Sequence, residues 1–215
     1  MTKLNVLQKV FDEGIVAIVR AEDSHTAIKI CDACLKGGIN IIEVTFTVPF
    51  ADQVIKDIVL TNKNEKLLIG AGTVLDSETA RIAILAGAKF IVSPSFNEDT
   101  AKLCHRYQIP YMPGCMTLTE MVNALEHGVD IIKLFPGSAF GPSYVKSIKA
   151  PLPQLNIMPT GGVNLDNIQE WFNNGVCSVG VGGDLFQSAK TGDFETIAKK
   201  ASLYVEAIKQ IKQKQ

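Results

Sequence analysis

The chain has no long apolar run. No uninterrupted hydrophobic stretch approaches the ~18 residues that a membrane-spanning helix needs, so no transmembrane segment is expected. The first ten residues, MTKLNVLQKV, lack the apolar core of a secretory signal peptide. Both absences predict a protein that is neither inserted into a membrane nor exported across one.

An excess of either charge is also missing. The chain has 21 Lys and Arg residues against 22 Asp and Glu residues, a formal net charge of −1. Nucleic acids and acidic membrane surfaces bind clustered basic residues, so neither is expected as a partner. The basic residues at 209–215 are interpreted as a solvated helix end.

The chain has few histidines, and its cysteines are odd in number. His25, His105 and His127 fall in predicted helices away from the strand ends, so neither a metal site nor a histidine-activated nucleophile is predicted. Five cysteines, an odd number in a chain without an export signal, predict a reduced, cytoplasmic protein. Cys31 and Cys34 form a CxxC pair inside a predicted helix, with no second pair at zinc spacing, which favours packing over metal binding.

The chain does contain a large apolar fraction, in a repeating pattern. Its 215 residues are 47% hydrophobic and 20% charged, which suits one domain over 1–215 with a sizeable core. After a short N-terminal helix over 3–11, eight strand-then-helix units follow, with Ser24 as the N-cap of the first unit's helix. The predicted strands cover 14–20, 39–47, 66–74, 89–94, 109–114, 130–137, 156–162 and 177–183. Eight such units predict an α/β fold of the (β/α)8 TIM-barrel type; a doubly wound open sheet is the alternative.

One lysine interrupts the most apolar of these strands. In the sequence VDIIKLFPG (129–137), strand alternation places Ile131, Lys133 and Phe135 on one face. Burial disfavours the ammonium form, and a lysine that is neutral at physiological pH attacks ketones to form Schiff bases. The other interpretation leaves the amine at the strand end, in water or paired to a carboxylate.

Glu43, Arg20 and Thr73 lie at the ends of three other predicted strands, where the active sites of such barrels are found. Glu43 is interpreted as a general acid/base or as half of a structural ion pair with Arg20 or Lys133. Arg20 is suited to clamp a carboxylate, or it is a solvated strand end. The residues Leu67, Ile69 and Ala71 precede Thr73 at alternate positions, so its side chain is predicted to point inward with them.

Two glycine pairs follow the last two strands. Glycines let backbone N–H groups approach an anion, and the loops after strands seven and eight are the usual phosphate site of barrel enzymes. Gly161, Gly162, Gly182 and Gly183 therefore predict a phosphate cradle, although turns also need glycine.

The motifs EVTFT (43–47), GAGTV (70–74), VSP (92–94), MPG (112–114), KLFPG (133–137), PTGGV (159–163) and VGVGG (179–183) resemble the 2-keto-3-deoxy-6-phosphogluconate (KDPG) aldolase family. Some members of that family also cleave 4-hydroxy-2-oxoglutarate (KHG). The resemblance runs from about Val16 to Leu185. It implies a metal-independent, cofactor-free class I aldolase of the Entner–Doudoroff pathway, a homotrimer of (β/α)8 barrels that acts on a small keto acid.

The resemblance also implies roles for individual residues. Lys133 is the expected Schiff-base lysine and Glu43 the general acid/base. The expected substrate-binding residues are Arg20 and Thr73 for the pyruvoyl carboxylate, Phe135 and Pro94 for the pocket walls, and Gly161, Gly162, Gly182 and Gly183 for the phosphate.

Two positions depart from the family pattern. Thr47 stands where some members have an arginine, which leaves carboxylate binding to Arg20. Asp184 stands where a serine is common, and a carboxylate repels a phosphate. Either Asp184 points away from the site, as a cap of the next helix, or the preferred substrate lacks the phosphate. An aldolase for an unphosphorylated or differently configured 2-keto-3-deoxy sugar acid is the alternative function. A phosphate-binding isomerase or synthase and a non-catalytic sugar-phosphate binder are the alternatives from other classes.

Overall fold

The computed structural model describes residues 1–62 and 66–214, in which strands and helices alternate along the chain. The strands are β1 (Ile15–Val19), β2 (Ile41–Thr45), β3 (Leu68–Gly72), β4 (Ile91–Val92), β5 (Tyr111–Met112), β6 (Gly114–Cys115), β7 (Ile132–Leu134), β8 (Ile157–Pro159) and β9 (Val179–Val181). The α-helices are α1 (Lys3–Glu13), α2 (Ser24–Lys36), α3 (Ala51–Thr61), α4 (Ser77–Ala86), α5 (Glu98–Arg106), α6 (Leu118–Glu126), α7 (Ser143–Lys149), α8 (Ile168–Asn173) and α9 (Phe194–Lys212). Two 3-10 helices cover Gly137–Ala139 and Gln187–Thr191.

The strands form two parallel sheets, which confirms the predicted α/β class. One sheet has the order β5-β4-β3-β2-β1-β9 and the other the order β6-β7-β8. The sheets meet at a parallel bridge between Thr160 and Gly180, and Cys177 N donates to Ile157 O at 3.0 Å. The fifth predicted strand is divided at Pro113, which has no N–H to donate to a neighbouring strand.

Side chains from the inner faces of both sheets form one apolar cluster. Strand residues and their neighbours contribute Val16, Ile41, Leu68, Phe90, Val92, Met112, Ile131 and Met158. Helix α1 adds Val6, Leu7 and Val10 to the same cluster. The opposite faces of the strands pack against the surrounding helices in a second, larger cluster. The sheets therefore curl around a shared, largely apolar interior.

The helix caps follow from local sequence, with one correction. Asp23, not Ser24, caps α2: its Oδ1 accepts from Thr26 N at 2.8 Å, and Ser24 is the first helical residue. Both residue types are good N-caps, so the sequence alone did not separate them. Helix α6 begins with a capping box between Thr117 and Glu120.

Gly70 on β3 gives the interior room for an aromatic ring. A Cβ at this position would lie 2.3 Å from Phe90 Cε2, and the Phe90 side chain is fully buried. The ring is enclosed by the inner cluster, so it has no free space in which to retreat.

Gly70→Ala is therefore expected to lower the free energy of unfolding by about 1–3 kcal/mol, the usual cost of overpacking a core. Urea unfolding monitored by circular dichroism measures this change. Gly183→Ala is the matched control, because a Cβ there has no neighbour within 4 Å and its φ is not positive. Equal stability of Gly70→Ala and wild type would contradict the close packing of Phe90.

Among the helices of the described ranges, none combines the length and the apolar character that crossing a bilayer requires.

Candidate active site

Lys133 and Glu43 lie on the inner faces of β7 and β2, as strand alternation predicts. Ile131 and Ile41, two residues before each of them, belong to the inner cluster. Lys133 is 3% exposed and Glu43 is 0% exposed. Two ionisable groups, each the central residue of its strand, are thus held within an apolar interior.

Burial dominates the protonation of both groups. Removal of water lowers the pKa of Lys133; the charge of Glu43 opposes this shift and that of Arg20 adds to it. Burial raises the pKa of Glu43, while Lys133 and Arg20 act in the opposite direction. A shift toward neutrality in both groups favours a free amine nucleophile beside a carboxyl group able to exchange a proton.

The Glu43 carboxyl group makes no hydrogen bond to the protein. Within residues 1–62 and 66–214, neither Oε1 nor Oε2 has a partner, so Glu43 is not hydrogen-bonded to Lys133 or to Arg20. A buried polar atom without a partner is costly and calls for an explanation such as a bound ligand. The Lys133 amine lies 4.9 Å from the centre of the Phe135 ring, which places Phe135 beside the lysine as expected.

Two glycines and a proline shape this end of the interior. A Cβ at Gly72 would lie 1.8 Å from Glu43 Oε1, so glycine is required where β3 passes the carboxylate. A Cβ at Gly114 would lie 2.1 Å from Pro94 O. Gly114 is also the residue that pairs with Lys133 across β6 and β7. Pro94 therefore contributes to the wall beside the lysine strand through its backbone.

The strand phase predicted for Thr73 is wrong. Leu68 belongs to the inner cluster, whereas Ile69 and Ala71 belong to the outer one, so the inward positions of β3 are even-numbered. Thr73 itself has φ 55°, in the left-handed region, where the alternation of the strand ends. Its place at the end of β3 is as expected, but its side-chain direction is set by this turn and not by the strand.

A cavity of about 650 Å³ adjoins the lysine strand. Of the predicted site residues, it is lined by Arg20, Phe135, Gly161, Gly162, Gly182 and Gly183. Lys133, Glu43, Thr73 and Pro94 are not part of its lining. Phe135 connects the two regions, because it contacts the lysine amine and faces the cavity.

The glycine pairs form the part of this cavity that fits an anion. Gly161 and Gly162 have φ values of 91° and 77°, which other residues rarely adopt. In the part of the chain that the structure describes, the N–H groups of Gly162 and Gly183 donate to no protein acceptor. Free backbone donors on a glycine-rich turn are suited to bind phosphate oxygens.

Asp184 is directed to helix α9. Its Oδ1 is 2.8 Å from Lys200 Nζ, and its Oδ2 accepts from Tyr204 Oη at 2.5 Å. Both carboxylate oxygens of Asp184 thus have partners on α9, although Asp184 is also among the residues that line the cavity. Thr47 is exposed, and its hydroxyl lies 2.7 Å from that of Thr45.

The cavity is also lined by Asp184 and by four polar residues that were not assigned roles from the sequence: Thr160, Asn164, Gln187 and Lys190. Thr160 Oγ1 is buried without a hydrogen-bond partner among the described residues, and it directly precedes the first glycine pair. This position next to Gly161 could have identified Thr160 as a site residue from the sequence. Gln187 and Lys190 come from the 3-10 helix after β9, where no sequence pattern marks them. In the described ranges, no group of three or more His, Cys, Asp or Glu side chains is arranged to hold a metal ion.

The fold and the site together define an α/β protein with a buried lysine and a buried glutamate on the inner faces of parallel strands, beside a glycine-lined cavity. A model of the family described as KDPG and KHG aldolase matches residues 6–200. The chain belongs to this family, as its sequence motifs indicated.

Individual relatives agree with this assignment. A 2-dehydro-3-deoxy-6-phosphogalactonate aldolase of Escherichia coli is 34% identical over 197 residues, 91% of this chain and 95% of that protein. A 2-dehydro-3-deoxy-phosphogluconate aldolase of Treponema pallidum is 36% identical over 80% of both chains. The KDPG aldolase of Legionella pneumophila, solved with pyruvate captured as a covalent carbinolamine, is 28% identical. It superposes with a TM-score of 0.83 over 90% of this chain and 95% of its own.

Proposed function

We propose that this protein is a class I aldolase that cleaves 2-dehydro-3-deoxy-6-phosphogluconate to pyruvate and glyceraldehyde 3-phosphate. A second proposed activity cleaves 4-hydroxy-2-oxoglutarate to pyruvate and glyoxylate. The observation that carries the proposal is the Lys133 amine, buried and with a lowered pKa, in the same interior as the Glu43 carboxyl group, which has no hydrogen-bond partner among the described residues.

In the proposed reaction, the neutral amine of Lys133 attacks the C2 ketone of the substrate, and loss of water gives an iminium ion. Glu43, directly or through a water molecule, takes the proton of the C4 hydroxyl. The C3–C4 bond then breaks, and its electron pair moves into the iminium to form an enamine. Glyceraldehyde 3-phosphate leaves, C3 is protonated, and hydrolysis releases pyruvate and the free lysine.

The remaining site residues hold the two ends of the substrate. Arg20 binds the pyruvoyl carboxylate through its planar guanidinium group, with Thr73 assisting. Phe135 and Pro94 form the walls beside the lysine. Gly161, Gly162, Gly182 and Gly183 bind the phosphate through backbone N–H groups, a role that the free donors of Gly162 and Gly183 support. No metal or other cofactor takes part in the proposed reaction.

The proposed architecture is a single domain over 1–215 that closes into a (β/α)8 barrel. The bridge between Thr160 and Gly180 supports closure, because it joins the last strand of the small sheet to the edge strand of the large one. We further propose a cytoplasmic homotrimer. Free thiols at all five cysteines support a reducing compartment. Exposed apolar side chains, which include Leu118, Val122 and Phe140, support association between copies.

A substrate panel tests this function. The value of kcat/KM for the 6-phosphorylated 2-keto-3-deoxy acid is expected to exceed that for its unphosphorylated analogue by at least about 100-fold. The analogue has no phosphate to accept hydrogen bonds from the glycine N–H groups. The phosphogluconate and phosphogalactonate substrates, which differ at C4, are compared in the same assay by coupled detection of pyruvate. Assays with a chelator are expected to give unchanged rates. Absence of pyruvate from every substrate, or loss of activity on chelation, would contradict the proposal.

A further inference from the structure

Asp184 occupies an unusual position for a carboxylate, because it directly follows the glycine pair of the proposed phosphate cradle. Its side chain is 25% exposed and forms an ion pair with Lys200, whose side chain is 26% exposed. Tyr204, a fully buried residue of the same helix, donates a hydrogen bond to the other carboxylate oxygen. Two residues one helical turn apart on α9 thus hold both oxygens of one loop residue.

The backbone of this loop is held by the same helix. Lys200 Nζ donates to the main-chain oxygen of Asp184 at 2.8 Å, in addition to its contact with the carboxylate. Phe186 N donates to Gly182 O at 3.1 Å, which closes the turn around Gly183. These contacts fix the part of the loop that follows Gly183. Without them, the two glycines could adopt many backbone conformations.

We propose that Asp184, Lys200 and Tyr204 form a clamp whose role is to orient the Gly182–Gly183 turn toward the phosphate group of the substrate. The three residues are positioning residues, and none of them contacts the reacting atoms. Oriented donors bind an anion without the entropic cost of ordering a flexible loop. The inference rests on the proposed function, since it concerns the phosphate end of that same site.

The clamp and a simple repulsion model predict opposite effects for Asp184→Asn. If the carboxylate repelled phosphate, its removal would lower KM for the phosphorylated substrate. In the clamp, the loss of the ion pair is expected to raise that KM by about 10-fold, because a small misplacement of binding groups is costly. The value of kcat/KM for the unphosphorylated analogue is expected to stay within about twofold of wild type.

Variants on α9 sharpen the test. Lys200→Met and Tyr204→Phe are expected to raise the same KM, and Lys200→Arg, which keeps a cation that can donate to Asp184, is expected to restore it. The double variant Asp184→Asn with Tyr204→Phe is expected to show less than the sum of the two single effects. Lys199→Met is the matched control, an exposed lysine of the same helix outside the clamp.

Two further measurements distinguish a failure of the clamp from a failure of the proposed aldolase function. Titration calorimetry with inorganic phosphate reports on the cradle without turnover, and Asp184→Asn is expected to weaken that binding about 10-fold. Reductive trapping of pyruvate is expected to be unchanged in Asp184→Asn, because Lys133 is untouched. No phosphate binding by wild type, a lower or unchanged KM in Asp184→Asn, or an equal rise for both substrates would overturn the clamp.

Discussion

Replacing Lys133 by methionine is expected to abolish the Schiff base with pyruvate and to reduce kcat by at least about 10⁴-fold. The physical reason is that the neighbouring groups can move protons and hold the substrate, but they cannot form the Schiff base. Among the described residues, Lys133 is the one lysine whose charge acts on Glu43. Steady-state release of pyruvate measures the loss.

The fold is expected to survive this change. Methionine fills nearly the same volume as the lysine stem, and replacing a buried ionisable group by an apolar one is often neutral or stabilising. The melting temperature of Lys133→Met should therefore equal or exceed that of wild type. Lys146→Met, at an exposed position of α7, is the control and should retain full activity. Appreciable turnover by Lys133→Met would contradict the assignment of the nucleophile.

Glu43→Gln is expected to lower kcat by about 10²- to 10⁴-fold, the range for loss of a positioned acid or base. The amide has the size of the carboxyl group but cannot take the C4 hydroxyl proton. The covalent adduct with pyruvate should still form, because the amine that forms it is intact. Single-turnover kinetics separate adduct formation from bond cleavage. Full turnover with this variant would show that Glu43 is only structural.

The same variant tests the electrostatic coupling of the pair. The charge of Glu43 raises the pKa of Lys133, in opposition to burial. Removing this charge is therefore expected to lower the pKa of the lysine further. The pH profile for trapping of pyruvate, which rises as the amine loses its proton, should move to lower pH in Glu43→Gln. A profile that moves to higher pH would contradict this coupling.

Strand alternation correctly predicted that the side chains of Lys133 and Glu43 face the interior. Ile131 and Lys133, like Ile41 and Glu43, are two residues apart in apolar strands, and each pair does face the interior. This signal was available because a charged residue amid apolar ones is conspicuous in sequence. It is also independent of how the strands are arranged in space.

The local pattern gave a wrong side-chain direction for Thr73 and left that of Asp184 open, because tertiary structure decides both. Thr73 follows a strand rich in small residues, in which odd and even positions look alike, and its left-handed backbone ends the alternation. The direction of Asp184 depends on Lys200 and Tyr204, 16 and 20 residues further along the chain. Such distant partners cannot be identified from hydrophobic periodicity. The division of the fifth strand at Pro113 has a different origin, because it follows from the missing N–H of proline and needs no distant partner.

The most direct test of the central claim is reductive trapping. Wild-type protein is treated with pyruvate and borohydride, digested, and mapped by mass spectrometry. The account predicts a single adduct on Lys133, with loss of activity in proportion to labelling, and no adduct in Lys133→Met. An adduct on a different lysine, or inactivation of the enzyme without any adduct, would contradict it.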